Sequence, residues 1–323
     1  ALPSLAETLP QDLEKLLASP DASARVLLQR ADELAEQAES LRRTASDVAV
    51  AAAVAELRQE LDRGDKADLL RAALLVSRLD NRELEIAPYL AVVEQMAGEI
   101  SSGLPDGADA AARRAALDHY LFAENGFHGS RTDYDHRANS YLDRVIDDRE
   151  GLPITLSVLY IDLGKRLGLP LEGVGLPGHF VVRLAPAKET DEPQLIDVFD
   201  GARRMPMAEA ERRIRAATGE DEVDESYLTA VTPRQIVRRM LQNLLAAARR
   251  EEDQEAALRY LEAVVAIDPD DAASRGMRSI VRFQTGRRAA ALADLDWFLE
   301  HEPQGIDLDQ IRAMKARFEQ AAP

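Results

Sequence analysis

Asn139-Ser140-Tyr141-Leu142, then Arg149-Glu150-Gly151-Leu152-Pro153-Ile154-Thr155-Leu156-Ser157, then Pro177-Gly178-His179-Phe180, then Ile196-Asp197-Val198-Phe199: these four stretches, all within residues 139–201, decide the fold. Tyr141 to Asp148 has the pattern of a short helix. Pro153 then suits the first turn of a longer one, where its missing N–H costs no hydrogen bond. Ile154, Val158, Ile161 and Leu167 are apolar positions of that helix, and Gly168 stops it just past its end. Period-two text follows. Phe180, Val182 and Leu184 alternate with His179, Val181 and Arg183, as in a strand. Ala185 to Pro193 is a polar loop, and Leu195 to Phe199 is the return strand. If His179 and Asp197 share one face of this antiparallel pair, the paired residue numbers must sum to an even value.

Outward from this centre the text is helical. Residues 1 to about 118 alternate helical patterns with turns. Ser19-Pro20 opens an Ala-rich helix running to about Leu61, with Leu27, Leu34, Ala38 and Leu41 as an apolar stripe. Further helices hold Leu69 to Val76 and Ile86 to Ile100, and another starts near Ala108. From Asn125 to Asn139, Gly, His, Asp and Asn replace Ala and Leu, which is loop chemistry. An acidic linker, Glu220 to Glu225, precedes the last third. There Ala257-Leu258 and Leu261 recur as Ala291-Leu292 and Leu295, and Asp268-Pro269 recurs as Glu302-Pro303, each shifted by 34 residues. That shift is the period of a helix–turn–helix repeat. Thr232 with Gln235 forms the first cap. Two helix pairs near 233–268 and 270–302 are predicted, closed by a helix near 307–320 whose apolar face is Ile311, Met314 and Phe318.

The chain has 323 residues, 46% of them hydrophobic but only 5% aromatic, so its cores are built from Leu, Ala and Val. Fifty-eight acidic residues against 40 basic ones give a formal charge of −18, a field that repels phosphate backbones. Nucleic acid is not expected as a partner. There is no cysteine, which removes disulfides, thiolate metal sites and any thiol nucleophile together. The longest apolar run, Val48 to Ala55, is far short of the roughly 20 residues of a membrane span. A soluble, cytoplasmic protein with no membrane partner is expected.

The order and spacing of the four stretches, together with Arg239-Met240-Leu241-Gln242-Asn243-Leu244, resemble a bacterial family described as transglutaminase-like with C-terminal tetratricopeptide repeats, labelled regulator of sirC expression (SirB-like). The resemblance runs from about Lys66 to Pro303. It implies an α+β fold, mainly α. N-terminal helices would lead into a papain/transglutaminase-like core with a small antiparallel sheet, followed by tetratricopeptide-like helical repeats. The boundaries it suggests are a variable helical segment 1–65, a core with its helical lead-in 66–219, and repeats with a capping helix 226–323. In the active superfamily a Cys opens the helix that ends in Leu-Gly-Ile-Pro. Counting back from Leu167-Gly168-Leu169-Pro170 puts Pro153 at the place of that Cys. Proline keeps the helix start and has no nucleophile. His179 and Asp197 match the two other members of the triad, in which Asp orients the imidazole and His takes the nucleophile's proton.

The resulting expectation is a non-catalytic or catalytically altered scaffold, a pseudoenzyme with a protein-interaction module. The alternative is a hydrolase or acyl-transfer enzyme using His179 and Asp197 with a hydroxyl or a water. Thr155 and Ser157 are the alternative nucleophiles along the Pro153 helix, although hydroxyls there also bond back to helix carbonyls. His119, His128 and His136, spaced nine and eight apart, fit no compact ligand motif. No metal or cofactor is expected. A protein or peptide partner is expected on the repeats. Arg275, Arg278 and Arg282 share a helix face there and form a candidate basic stripe for an acidic peptide. The competing reading pairs these arginines with nearby acids.

Overall fold

The computed structural model describes residues 19–185 and 194–321. They fall into two compact units, the first ending at Val50 and the second running from Ala51. Helix α1, Pro20–Leu61, begins where Ser19-Pro20 predicts, and the Ser19 carbonyl accepts the Ser23 N–H at 2.9 Å. The polar loop expected at 185–193 lies, beyond Ala185, outside the described residues. Among the described residues no helix is long and apolar enough to cross a membrane.

The second unit is mainly helical. Helices α2 (Leu69–Arg78), α3 (Ile86–Ser102) and α4 (Ala110–Asp118) lead in. Asp68 and Asp109 cap α2 and α4 by accepting the N–H of Arg71 and Ala112. A π-helical turn, His119–Glu124, extends α4. Strand β1 (His128–Gly129) pairs in parallel with β2 (Glu150–Gly151), bracketing α5 (Leu142–Asp148). Helix α6, Pro153–Arg166, is buried on every side over its first eight residues, as its apolar text implies.

A four-stranded antiparallel sheet follows in sequential order: β3 (Leu171–Val174), β4 (Val181–Leu184), β5 (Gln194–Asp197) and β6 (Arg203–Met205). The hairpin β4–β5 was expected, though β5 ends at Asp197 and Val198–Asp200 turns away as a 3₁₀ helix. The edge strands β3 and β6 were not. Helix α7 (Met207–Thr218) then packs Ala210 and Ile214 onto Val174, Val181, Leu195 and Met205. The acidic stretch after it is no free linker. Its apolar residues Val223, Tyr227 and Leu228 lie against the same cluster, and Val231 N–H bonds Gly173 O on the edge of β3 at 2.9 Å.

The last third is helical repeat throughout: α8 (Pro233–Arg250), α9 (Gln254–Ile267), α10 (Ala272–Gln284), α11 (Arg288–His301) and α12 (Leu308–Gln320). The two pairs and closing helix stand where the 34-residue spacing predicts. Ile311, Met314 and Phe318 of α12 cover Ala291 and Leu295. The repeat leans on the core, because α8 packs against α2 and α6.

Candidate functional site

Pro177 and Gly178 build the turn that presents His179. The His179 N–H bonds back to Leu176 O at 3.1 Å, and Gly178 takes φ +69°. Pro followed by a left-handed Gly is the sequence that a type II turn requires. Across the sheet Val182 pairs with Ile196 and Arg183 with Leu195, so every pair sums to 378. His179 and Asp197 sum to 376, also even, and therefore share a face. Their side chains meet: His179 Nε2 is 3.0 Å from Asp197 Oδ2. The carboxylate is buried and the imidazole nearly so. The pairing leaves Nδ1 as the remaining ring nitrogen. Arg213 Nη2 comes to 3.8 Å of Asp197 Oδ2, close enough for attraction but not for a hydrogen bond. Asp197 Oδ1 is buried without a hydrogen-bond partner.

Aromatic rings wall the pair. Phe199 stands edge-on to His179 at 6.3 Å between centroids and to Tyr134 at 6.0 Å. Gly129 lies directly beneath Phe199. A Cβ there would come within 2.5 Å of the ring, so this position has no room for any other residue without movement. From the repeat, Arg239 reaches over and donates from Nη2 to Leu176 O at 2.8 Å and His179 O at 2.7 Å. It thereby ties down both ends of the His179 turn, with its guanidinium over the Phe180 ring. Burial pushes the Arg239 pKa below its usual value, and the nearby Tyr134 pulls the other way. The stretch Arg239 to Leu244 thus contributes a positioning group to the core.

At the start of α6 the hydroxyls are already engaged. Ser157 Oγ donates to Pro153 O at 2.6 Å. Thr155 Oγ1 accepts the Leu152 N–H at 3.0 Å and lies 2.8 Å from Asn139 O, to which it donates. Neither bonds to His179. Asn139 in turn donates from Nδ2 to Asp133 O at 2.7 Å, so the Asn139-Ser-Tyr-Leu stretch braces the helix start. One hydroxyl was not anticipated. Ser130 is fully buried and its Oγ has no hydrogen-bond partner, while its backbone N–H bonds Gly151 O at 3.0 Å, two residues before Pro153. No sequence signal marks it, since it sits in a loop-like run and its placement depends on the parallel β1–β2 pairing.

The histidines outside the site serve local ends. His136 Nδ1 accepts the Ala138 N–H and caps a 3₁₀ turn, and His119 Nε2 lies 3.2 Å from Glu124. His128 Nδ1 is 3.5 Å from Gly129 O. Among the described residues no group of three His, Asp or Glu is placed to hold a metal ion.

The arginine stripe on α10 is not free. Arg278 grips Asp294 of α11 with Nη2 at 2.6 Å and Nε at 3.0 Å, and reaches Glu262 of α9 with Nη1. Arg282 bonds the same two acids. Arg275 lies over the Trp297 ring at 4.1 Å and comes to 3.4 Å of Asp294. The expected partner-facing stripe is replaced by an internal cluster, because buried Asp294 and half-buried Glu262 on the flanking helices supply the countercharge.

Comparison with known proteins agrees with this architecture. Residues 87–242 match the transglutaminase-like superfamily and residues 244–316 the tetratricopeptide repeat. A UPF0162 protein of Xylella fastidiosa (strain Temecula1) is 30% identical over 248 residues, covering 76% of this chain and 87% of the relative. A UPF0162 protein of Vibrio cholerae is 27% identical over 239 residues, covering 74% and 88%. F-box only protein 21 of Homo sapiens is 30% identical over 141 residues, 42% of this chain but 22% of that protein. No solved structure gives a significant match.

Proposed function

This chain belongs to the UPF0162 protein family, and from that premise we propose that it is a transglutaminase-like scaffold that has lost thiol acyl transfer and acts through protein interaction. The observation that carries the proposal is Pro153 at the first turn of α6, with Thr155 and Ser157 both bonded to backbone carbonyls. A proline ring cannot attack a carbonyl, and a hydroxyl held by the helix has no base beside it. The His179–Asp197 pair then serves as a buried hydrogen bond. The tetratricopeptide match supports a protein or peptide partner on the repeats, and the motif order supports kinship with regulators of sirC expression, hence a regulatory role. Residues 66–219 and 226–323 are the proposed working parts.

A second reading, hydrolysis or acyl transfer by a hydroxyl or a water, is favoured by one pair of observations. Ser130 Oγ and Asp197 Oδ1 are buried without partners, an uncommon and costly state for polar atoms. The deciding experiment assays the full chain for transamidation of a glutamine peptide by a primary amine and for peptide hydrolysis. The scaffold reading expects no turnover, no stimulation by reductants, and at most a trace from Pro153→Cys. Turnover that disappears in both His179→Ala and Ser130→Ala, with folding intact, would establish the enzyme reading instead.

A further inference from the structure

The first unit carries a pattern of its own. Along α1, Ala24, Ala31, Ala38 and Ala45 alternate with Leu27, Leu34, Leu41 and Val48 at steps of three and four. This is an unbroken seven-residue repeat, with alanine in one seam position and a large aliphatic in the other. The side chains of the second set are bare: Leu27 is 52% exposed, Leu34 51%, Leu41 71% and Val48 65%. A straight helix drifts about 20° per heptad against such a repeat, so the seam stays aligned only when it winds against another helix of the same period. A solitary surface helix has no use for that regularity.

We propose that this face pairs with the same face of a second copy of the chain as an antiparallel two-helix coiled coil. The choice of occupant follows from the complementarity of the pattern with itself. Run antiparallel with paired numbers summing to 72, every layer sets a small residue against a large one: Ala24 with Val48, Ala31 with Leu41, Ala38 with Leu34, Ala45 with Leu27. Alternating large and small across facing positions lets layers interdigitate without voids. A parallel pair would instead stack Ala on Ala and Leu on Leu in turn. The flanking positions raise no like-charge contact. On one side Arg30 faces Thr44 and Gln37 faces its own copy; on the other Leu28 faces Arg42 and Ala35 its own copy. The two flanking arginines are also neutralised on their own helix, Arg30 by Glu33 at 2.8 Å and Arg42 by Glu39 at 3.6 Å. A lipid surface fits poorly. The remaining faces are acid-rich, with Asp32, Glu33, Glu36, Glu39 and Asp47 against Arg25 and Arg43, whereas interfacial helices are rich in Lys and Arg there.

The test uses the full chain, and the absence of cysteine makes it clean. At micromolar concentration, light scattering should give twice the chain mass for the parent and the single-chain mass for the Leu34→Glu, Leu41→Glu double variant. Because both positions are exposed, the variant should keep its helix content. Oxidation of a mixture of Leu27→Cys and Ala45→Cys chains should give the mixed disulfide dimer, and Leu27→Cys alone should not cross-link. A single-chain mass for the parent overturns the proposal. So does a parent that doubles in mass only after residues 1–18 are removed, which would mean the chain covers its own face. Retained dimer in the double variant, or self-cross-linking of Leu27→Cys in preference to the mixture, overturns it as well.

Discussion

Tyr141 and Tyr260, 119 residues apart in sequence, meet hydroxyl to hydroxyl at 2.9 Å over the carboxylate of Asp80. Both phenols reach Asp80 Oδ2, at 2.8 and 2.7 Å, and Arg259 binds Oδ1 through Nε at 3.0 Å. Burial, and then the Asp80 charge, raise the pKa of both tyrosines, so they remain donors at any physiological pH. One carboxylate from the end of α2 therefore fastens the Asn139-Ser-Tyr-Leu stretch of the core to helix α9 of the repeat. Asp80→Ala should destabilise the chain by roughly 3 kcal/mol, since it strands Arg259 and two phenols. Urea unfolding followed by tyrosine fluorescence and by circular dichroism should give coincident transitions, both shifted. Separate transitions for core and repeat would contradict this coupling.

The cluster on α10 gives a second expectation. Arg278 is 8% exposed and Asp294 2%, so neither can find water when its partner is removed. Arg278→Ala should cost about 1–3 kcal/mol, because Asp294 loses its two-pronged partner but keeps Arg282 at 2.9 Å. Asp294→Ala should cost more, because Asp294 is shared by Arg275, Arg278 and Arg282, and changing Arg278 and Asp294 together to alanine should cost less than the sum of the two single changes. Urea titration of the three variants measures this, and a double cost equal to the sum of the two single costs would show the pair is not coupled.

How much of this was legible beforehand differs by element. The repeat helices were readable because a fixed spacing, caps such as Thr232 with Gln235, and apolar periodicity all agree. The His179–Asp197 pairing was implied by the resemblance to the papain/transglutaminase-like triad, and strand parity supplied only the condition that it had to meet. Strands β3 and β6 were not readable, because Leu171-Glu172-Gly173-Val174 and Arg203-Arg204-Met205 are short edge segments held by their neighbours rather than by propensity. The fate of Arg275, Arg278 and Arg282 turned on Glu262 and Asp294, which lie on other helices, a tertiary fact with no local signature. Ser130 was invisible for the same reason.

Arg239 positions the His179 turn, and its removal should show at the imidazole. Arg239→Ala leaves the carbonyls of Leu176 and His179 without their charged donor, at a cost of roughly 2 kcal/mol. The His179 ring resonances should shift and broaden in the nuclear magnetic resonance spectrum, and Arg239→Lys should recover part of both effects. Gly129→Ala should reach the same ring from the other side, because the new methyl must push Phe199 aside. Unchanged His179 signals in both variants would refute the positioning role.

Acid should loosen the repeats through the carboxylates that cap them. Asp271 accepts the Ser274 N–H at 2.9 Å and the Ser274 hydroxyl at 2.8 Å, and pairs with Arg238. Asp253 accepts the Ala256 N–H at 2.9 Å and binds Arg137. Burial alone would raise both pKa values, but these donors outweigh it and hold each below the ordinary 3.8. A depressed folded-state pKa contributes stability above the unfolded value and loses it as pH falls through the folded one. The contribution should therefore be full above about pH 4 and decline below it. Asp118 and Asp162 work the other way. Burial raises their pKa values against the pull of Tyr160 and Arg114 on the first and of Arg166 on the second, so they take up protons on folding as the pH drops. The wild-type acid limb is the sum of both groups, and a variant isolates one. Asp271→Asn keeps a capping oxygen but no titrating charge. Its stability at neutral pH should be lower than that of the parent, and the two should converge as the pH approaches 3, in urea unfolding measured across that range. A constant gap between them at every pH would show that the Asp271 charge adds nothing beyond the cap.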